Sequence, residues 1–261
     1  MLVNRLHSKR NFKPITILHT ADIHLPERRK ELVRGMNWRF GCPFQTFEAT
    51  VNTANHLGVD LVLVSGDLFD VYSPSKETVS FVLEQFTRLK SPAILIPGNH
   101  DCLEESETFC LPEWTRGDMR PYVITDFFGE LLEIPALPVT VWGRAMMQHS
   151  PLFEPLKGLP SRNGNSWHIA MGHGFYYEHG KTGYRASPIH AHQIQSADWD
   201  YFAFGHTHVH VDVSQVKVRA AYSGSPVPSW NPRAEVLLVR LDGRRNEPVS
   251  ITKFPLLNGK G

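Results

Sequence analysis

The sequence predicts an α/β fold that begins with parallel strands, and three observations carry that prediction. Short apolar runs recur between turns containing Gly or Pro. In the first hundred residues these runs alternate with segments of helical period, and in the second half strand-length runs outnumber helical ones. The chain has 261 residues, 41% of them hydrophobic, which suffices for one large α/β domain with a sizeable core. Residues 1–14 read as a basic N-terminal extension and residues 15–261 as a single domain.

Taken in order, the first strand spans Ile15 to His19. A helical pattern follows over Pro43 to Leu57, then a strand over Val59 to Ser65. A second helical pattern covers Pro74 to Lys90, with Ser73 as N-cap and Pro74 at the first helical position. Ala93 to Pro97 completes a βαβαβ unit with parallel strands. Val139 to Gly143 is the next strand. The proline-containing stretch from Arg144 to Asn165 lacks periodicity and reads as a surface excursion. Trp167 to Met171, Tyr201 to Gly205 and the pair Glu235 to Leu241 and Val249 to Phe254 supply strands for a second sheet or for one mixed sheet.

Composition excludes several classes. No apolar run reaches the roughly 18 residues of a membrane span. Cys42, Cys102 and Cys110 form no CxxC pair, so neither a disulfide framework nor a thiolate zinc site is indicated. No apolar stretch follows the basic N-terminus as in a signal peptide, and a reducing, cytoplasmic location is expected. Net charge is +1, yet the first forty residues hold nine Lys/Arg against three Asp/Glu. That asymmetry fits either a nucleic-acid-facing edge or a solvated basic tail.

The chemistry gathers at strand ends. The first strand runs into Thr20-Ala21-Asp22-Ile23-His24, and alternation along an extended backbone points Asp22 and His24 to one side. The second ends in Gly66-Asp67-Leu68-Phe69-Asp70 and the third in Pro97-Gly98-Asn99-His100-Asp101. Carboxyl ends of neighbouring parallel strands form the crevice where ligands bind, so these groups should meet in space. Farther on come Gly172-His173-Gly174 and Gly205-His206-Thr207-His208, where His206 and His208 again share a face. Singly, each group has an ordinary reading as helix cap, turn or core histidine. Three successive strands that all end in polar ligands weaken that reading.

In order, the motifs DxH, GDxxD, GNHD, GH and GHTH resemble the calcineurin-like metallophosphoesterases, over about residues 15–230. Within that superfamily, His19 to Leu25, Gly66 to Asp70, Pro97 to Asp101 and Tyr222-Ser223-Gly224-Ser225-Pro226 look most like the SbcD-type DNA repair exonucleases. The resemblance implies a four-layer α/β/β/α sandwich of two mixed sheets with all five motifs at one edge. It also implies a two-metal centre, with Asp22, His24, Asp67 and His208 on one ion and Asn99, His173, His206 and the shared Asp67 on the other. Nitrogen and oxygen donors without thiolate suit manganese, iron or zinc. Two divalent ions against two carboxylates leave roughly +2, which favours a phosphate substrate.

By the same resemblance His100 stabilises the transferring phosphoryl group or protonates the leaving alkoxide. An extended backbone would turn it away from Asn99, so the loop must bend. Asp70 and Asp101 read as carboxylates that orient histidines, with helix capping as the other reading. His210 reads as solvent-exposed, and Cys102, Cys110, Met146 and Met147 as packing residues. Arg28, Arg29 and Lys30 fit either contact with a nucleic-acid backbone or a solvated helix start.

The implied function is phosphodiester hydrolysis of the DNA nuclease type, with an ATPase partner subunit if the likeness to SbcD extends that far. Such nucleases continue into a DNA-facing cap, whereas one strand pair follows residues 222–226 here. An enzyme acting on a small phosphate ester or nucleotide is therefore the second reading. HTHVH alone also fits metallo-β-lactamase or amidohydrolase sites, but no second motif supports them. A non-catalytic scaffold of the same fold is disfavoured because all seven ligand positions and His100 are present.

Overall fold

Ile15 and Ile17 are buried on one side of the first strand and Leu18 on the other, so this strand needs cover on both faces. The computed structural model, which describes residues 12–27, 42–104, 106–115, 121–179, 187–243 and 248–257, supplies both covers. The chain forms β1 (Ile15–Thr20), α1 (Pro43–Leu57), β2 (Leu61–Ser65), α2 (Lys76–Arg88), β3 (Ala93–Ile96), β4 (Tyr122–Val123), β5 (Glu130–Glu133) and β6 (Val139–Gly143). It continues through β7 (Trp167–His173), β8 (Phe175–Tyr177), β9 (Pro188–His190), α3 (Ala191–Ser196), β10 (Tyr201–Gly205), β11 (Val211–Asp212), β12 (Arg219–Tyr222), β13 (Glu235–Leu241) and β14 (Val249–Pro255).

Two six-stranded mixed sheets result. The first has the order β14-β13-β1-β2-β3-β4, with β1 to β4 parallel and β13 and β14 antiparallel at one side. The second has the order β11-β12-β10-β7-β6-β5, its four central strands parallel. A short parallel pair, β8 and β9, stands apart.

Side-chain alternation sorts the core into layers. Ile15, Ile17, Leu61, Leu63, Ile94 and Ile96 face Val141, Ile169, Met171, Tyr201 and Ala203 between the sheets. Leu18, Val62, Val64 and Leu95 face Phe44, Phe47, Val82 and Phe86 of α1 and α2. Phe202, Phe204, Ala170 and Tyr222 back onto Ile194, Leu156 and Trp199. The expected four-layer α/β/β/α sandwich is present, with a thin outer layer in which α3 has only six residues.

α1 starts at Pro43 and stops at Gly58, whose left-handed backbone (φ 59°) lets its N–H reach the carbonyls of Ala54 and Asn55. α2 begins later than the sequence suggests. Ser75, not Ser73, is the N-cap and accepts the Thr78 N–H, while the Ser75 N–H donates to the Glu27 carbonyl at 3.1 Å. That tie to the loop after β1 selects between two serines that flank Pro74. The stretch from Arg144 to Asn165 also departs from a pure surface excursion. Arg144, Met146, Phe153 and Leu156 are buried, and the Arg144 guanidinium lies 5.0 Å from the rings of both Phe127 and Phe153. None of the three cysteines is in a disulfide: Cys102 is buried, Cys42 partly buried, and Cys110 is exposed, contrary to its reading as a packing residue. Arg28, Arg29 and Lys30 lie outside the described residues, as do residues 1–11 of the basic extension.

Candidate metal centre

Parallel strands of both sheets end along one edge, and the motif residues sit on or just beyond those ends. The loops after β1 and β2 stay zipped together past the strands. Asp22 N–H donates to the Gly66 carbonyl at 3.0 Å, His24 N–H to that of Asp67 at 3.1 Å, and Asp70 N–H to that of Leu25 at 2.9 Å. Asp22, His24, Asp67 and His206 all have left-handed backbones, with φ between 51° and 97°. Such strain in non-glycine residues persists where surrounding contacts over-determine it, and it clusters at functional sites. It also corrects the strand-alternation argument. Asp22 and His24 lie beyond the end of β1, and sharp turns rather than a pleat aim them inward.

Two side-chain groups form. In the first, His24 Nε2 lies 3.1 Å from His208 Nε2, and Asp22 Oδ1 lies 3.9 Å from the same His208 nitrogen. In the second, Asn99 Oδ1 lies 2.7 Å from His206 Nδ1 and 3.1 Å from His173 Nε2. Asp67 stands between them, its Oδ2 3.3 Å from His173 Nε2 and 3.8 Å from His24 Nε2. His206 and His208 therefore divide between the groups instead of sharing a face. The loops are bound to one another: both oxygens of Asp22 accept the His206 N–H at 3.0 Å, and His173 Nδ1 donates to the Ser65 carbonyl at 2.8 Å. Gly205 makes this approach possible, since a Cβ there would collide with that same carbonyl.

Around the groups, Asp70 Oδ1 lies 3.0 Å from His24 Nδ1 and 3.2 Å from His100 Nδ1. His100 is 42% exposed, and its ring meets that of His24 edge-on at 4.7 Å. The loop does bend. The His100 N–H donates to Asp67 Oδ1 at 2.9 Å, which brings the imidazole back beside the groups. Asp101 differs from the expected histidine partner. Its oxygens accept backbone N–H groups of Gly98 (2.7 Å), Leu68 (2.8 Å) and Phe69 (3.1 Å), so it ties the loops after β2 and β3 together. His210 is only partly exposed and donates through Nδ1 to the Tyr222 carbonyl at 2.9 Å.

The electrostatics follow from burial. Desolvation pushes the Asp22 carboxyl up to about 7 and the imidazoles of His206 and His208 down to about 3 and about 4. Burial also works against charge on Asp67, but His173 and His24 more than offset it and hold that carboxyl below the usual range. The hydrogen bond that its Nδ1–H donates to Asp70 raises His100 to about 9.

This donor set fits a pair of divalent ions. Each of the triads Asp22-His24-His208, His24-Asp67-His100 and Asp67-His173-His206 brings one ligand atom per residue within 4.8 Å of the others. Desolvation favours the neutral form of the partly buried imidazoles of His206 and His208, the form that ligation requires. Nitrogen lone pairs that converge as those of His24 and His208 do repel one another unless a cation or proton lies between them.

Sequence reasoning missed four neighbours. His149 packs on the His206 ring at 5.6 Å and Phe175 on the same ring at 4.0 Å. Trp230 meets His208 at 4.5 Å, and Tyr72 helps line a cavity of about 360 Å³ with Asp70, Val71, Asn99, His100 and His149. The position of Trp230, a few residues past Tyr222-Ser223-Gly224-Ser225-Pro226, was the available signal. A larger cavity of about 510 Å³ between Glu154–Arg162 and Gln193–Trp199 includes no motif residue.

A two-sheet sandwich with Asp, Asn and His donors at its strand ends defines a metallophosphoesterase. The sequence model of the calcineurin-like phosphoesterase family matches residues 15–210, and the chain belongs to that family. Its similarity extends to the DNA double-strand break repair protein Mre11 of Saccharolobus solfataricus, 30% identical over 136 residues, which are 48% of this chain and 34% of that protein. One component of the SbcCD nuclease of Staphylococcus epidermidis is 34% identical over 91 residues, 33% of this chain and 22% of that component. The matches thus span about a third or less of these relatives. TT1561 of Thermus thermophilus shares the fold with a TM-score of 0.56 at 13% identity, over 94% of this chain and 100% of that one. No described helix is long and apolar enough to cross a membrane.

Proposed function

We propose that the protein is a dinuclear, metal-dependent phosphodiesterase of the nuclease type. The observation that supports this best is a buried carboxylate, Asp67, set between the Asp22-His24-His208 group and the Asn99-His173-His206 group, with a partly exposed imidazole, His100, beside it. Asp22, His24, Asp67 and His208 would hold one ion. Asp67, Asn99, His173 and His206 would hold the other. Manganese is the proposed metal, and iron or zinc also suits the donor set. When bound, such a pair supplies a nucleophile at neutral pH and polarises the phosphoryl group.

The chain's own groups do the rest. Asp70 fixes Nδ1 of His100, which leaves Nε2 as the nitrogen able to donate a hydrogen bond or a proton to the leaving oxygen. Asp70 likewise fixes Nδ1 of His24 and so commits its Nε2 to ligation. Asp101 keeps Gly98, and with it Asn99 and His100, in register with the loop that carries Asp67. The net positive charge of the loaded centre favours anionic esters.

DNA is the proposed substrate, because Mre11 is named for DNA double-strand break repair and SbcCD for nuclease activity. By the same reading, residues 15–261 act as one catalytic unit in the cytoplasm, and an ATPase subunit is the candidate partner. The cavity of about 360 Å³ beside His100 favours a second reading, a small phosphate ester or nucleotide. A manganese-supplemented panel of single-stranded DNA, duplex ends, cyclic nucleotides and bis(4-nitrophenyl) phosphate tests both. Cleavage of DNA ends together with the aryl diester is expected. Cleavage of small esters alone would select the second reading, and no hydrolysis of any ester would overturn both.

A further inference from the structure

Trp230 is the exposed exception among the described tryptophans, for Trp114, Trp142, Trp167 and Trp199 are all buried. Half of its surface is open, yet its position is fixed. The segment that carries it is stapled to both halves of the first side-chain group: Ser225 Oγ donates to the Asp22 carbonyl at 2.6 Å and Ser225 N–H to that of His208 at 3.0 Å. Val227 N–H then donates to Ser225 Oγ at 3.2 Å, and Trp230 N–H to the Val227 carbonyl at 2.9 Å. This chain of bonds holds the indole at 69° to the His208 ring, with ring centroids 4.5 Å apart, and 6.3 Å from that of His24. Trp230 takes no part in the cavity beside His100. An ester held over the centre thus has one recess for one substituent and an open aromatic surface for another.

We propose that Trp230 is a specificity-determining residue whose indole is a stacking platform for a planar aromatic substituent, such as a nucleobase, of the phosphate ester. The proposal rests on the phosphoesterase reading of the site and adds a substrate preference to it. Stacking uses the ring face and ignores the hydrogen-bonding edges, so the preference is for aromatic over alkyl esters, with little choice among bases.

The test compares thymidine 5′-monophosphate with methyl phosphate as ligands of the manganese-loaded protein, by calorimetry and by intrinsic fluorescence. In the wild type, thymidine 5′-monophosphate is expected to bind about 5- to 150-fold more tightly. That ratio is expected to fall near one in Trp230→Leu and to be largely kept in Trp230→Phe. The fluorescence quenched by thymidine 5′-monophosphate should be lost in Trp230→Phe while calorimetry still reports binding. Survival of the ratio in Trp230→Leu would overturn the proposal. So would a parallel loss of both ligands together with bound metal, which would make Trp230 a support for His208. If bis(4-nitrophenyl) phosphate is hydrolysed but the wild type shows no thymidine preference, only the Trp230 assignment falls. If the wild type neither binds methyl phosphate nor hydrolyses any ester, the phosphoesterase reading falls with it.

Discussion

His24 and Asp70 are joined Nδ1 to Oδ1 at 3.0 Å, while the opposite ring nitrogen, Nε2, faces Nε2 of His208 at 3.1 Å. A carboxylate on Nδ1 fixes the tautomer and makes Nε2 a better donor to a metal. Asp70→Asn preserves shape and removes the charge. Manganese affinity, measured by titration calorimetry, should fall about 10- to 100-fold. Turnover should fall further than affinity, because Asp70 also holds His100. Affinity and turnover both at wild-type levels would remove Asp70 from the site.

Asp67 has a different weight, since it approaches His24 of one group and His173 of the other at 3.8 Å and 3.3 Å. In Asp67→Asn the amide can still accept the His100 N–H, but both groups lose their shared charge. Elemental analysis of the purified variant should find both ions depleted. Two tightly held ions per chain would contradict a bridging role.

These residues were legible in the sequence for a physical reason. Short apolar strands that end in Gly-Asp, Gly-Asn-His and Gly-His announce where backbone must turn and where polar groups gather, and parallel topology brings strand ends together. Turns and packing were less legible. Left-handed conformations at Asp22, His24, Asp67 and His206 cannot be read from strand alternation, and they decide which way each side chain points. Asp101 resembled a histidine partner, yet its oxygens hold three backbone amides. His149 and Trp230 reach the centre along loop paths set by tertiary contacts, such as the Ser225 bonds to Asp22 and His208. Local sequence carries no period for such contacts.

A His100 variant is expected to separate chemistry from metal binding. Its side chain is 42% exposed beside the groups, and its backbone N–H donates to Asp67. His100→Ala should keep the metal content while lowering turnover by about 10²–10⁴. The loss should shrink for esters with a nitrophenolate leaving group, which needs little protonation. An equal loss on all substrates would favour electrostatic stabilisation of the phosphoryl group instead, and unchanged turnover on every diester would exclude His100 from the reaction.

Gly205 tests the close packing of the two sheets at the site. A Cβ there would meet the Ser65 carbonyl and the His173 ring, and both are fixed by their mutual hydrogen bond. Gly205→Ala should cost about 1–3 kcal/mol or more through overpacking. It should also weaken metal binding, because His173 must move. Denaturant unfolding and elemental analysis report the two effects separately, and a variant unchanged in both would show that the loops have slack.

His19 links the sheets without joining either of the two side-chain groups. It is fully buried on β1, on the side that faces the second sheet. Its Nδ1 lies 2.8 Å from the Tyr201 hydroxyl and its Nε2 3.2 Å from Ser65 Oγ, which itself lies 3.1 Å from the Ala203 carbonyl. One proton arrangement satisfies every group: Tyr201 donates to Nδ1, Nε2–H donates to Ser65, and Ser65 donates to Ala203. This arrangement requires neutral imidazole, and burial, the largest cause, depresses His19 to about 3. The unfolded chain binds a proton at His19 below about 6.5, whereas the folded chain does not bind one until about 3. The His19 contribution is therefore fully present above 6.5 and is lost progressively as pH falls through that window, by an amount on the order of a few kcal/mol. Asp22 and Asp101, raised by burial to about 7 and about 6, act in the opposite sense and add stability as pH falls. The measurement is accordingly a difference: unfolding free energy against pH for the wild type minus that for His19→Gln. The variant should be the less stable at pH 7, and the gap should narrow steadily below 6.5. A gap independent of pH between 7 and 4 would mean that His19 takes up its proton in the fold as readily as in the unfolded chain, and a gap that widens as pH falls from 7 would mean that it is protonated in the fold with the Tyr201 hydroxyl as its acceptor.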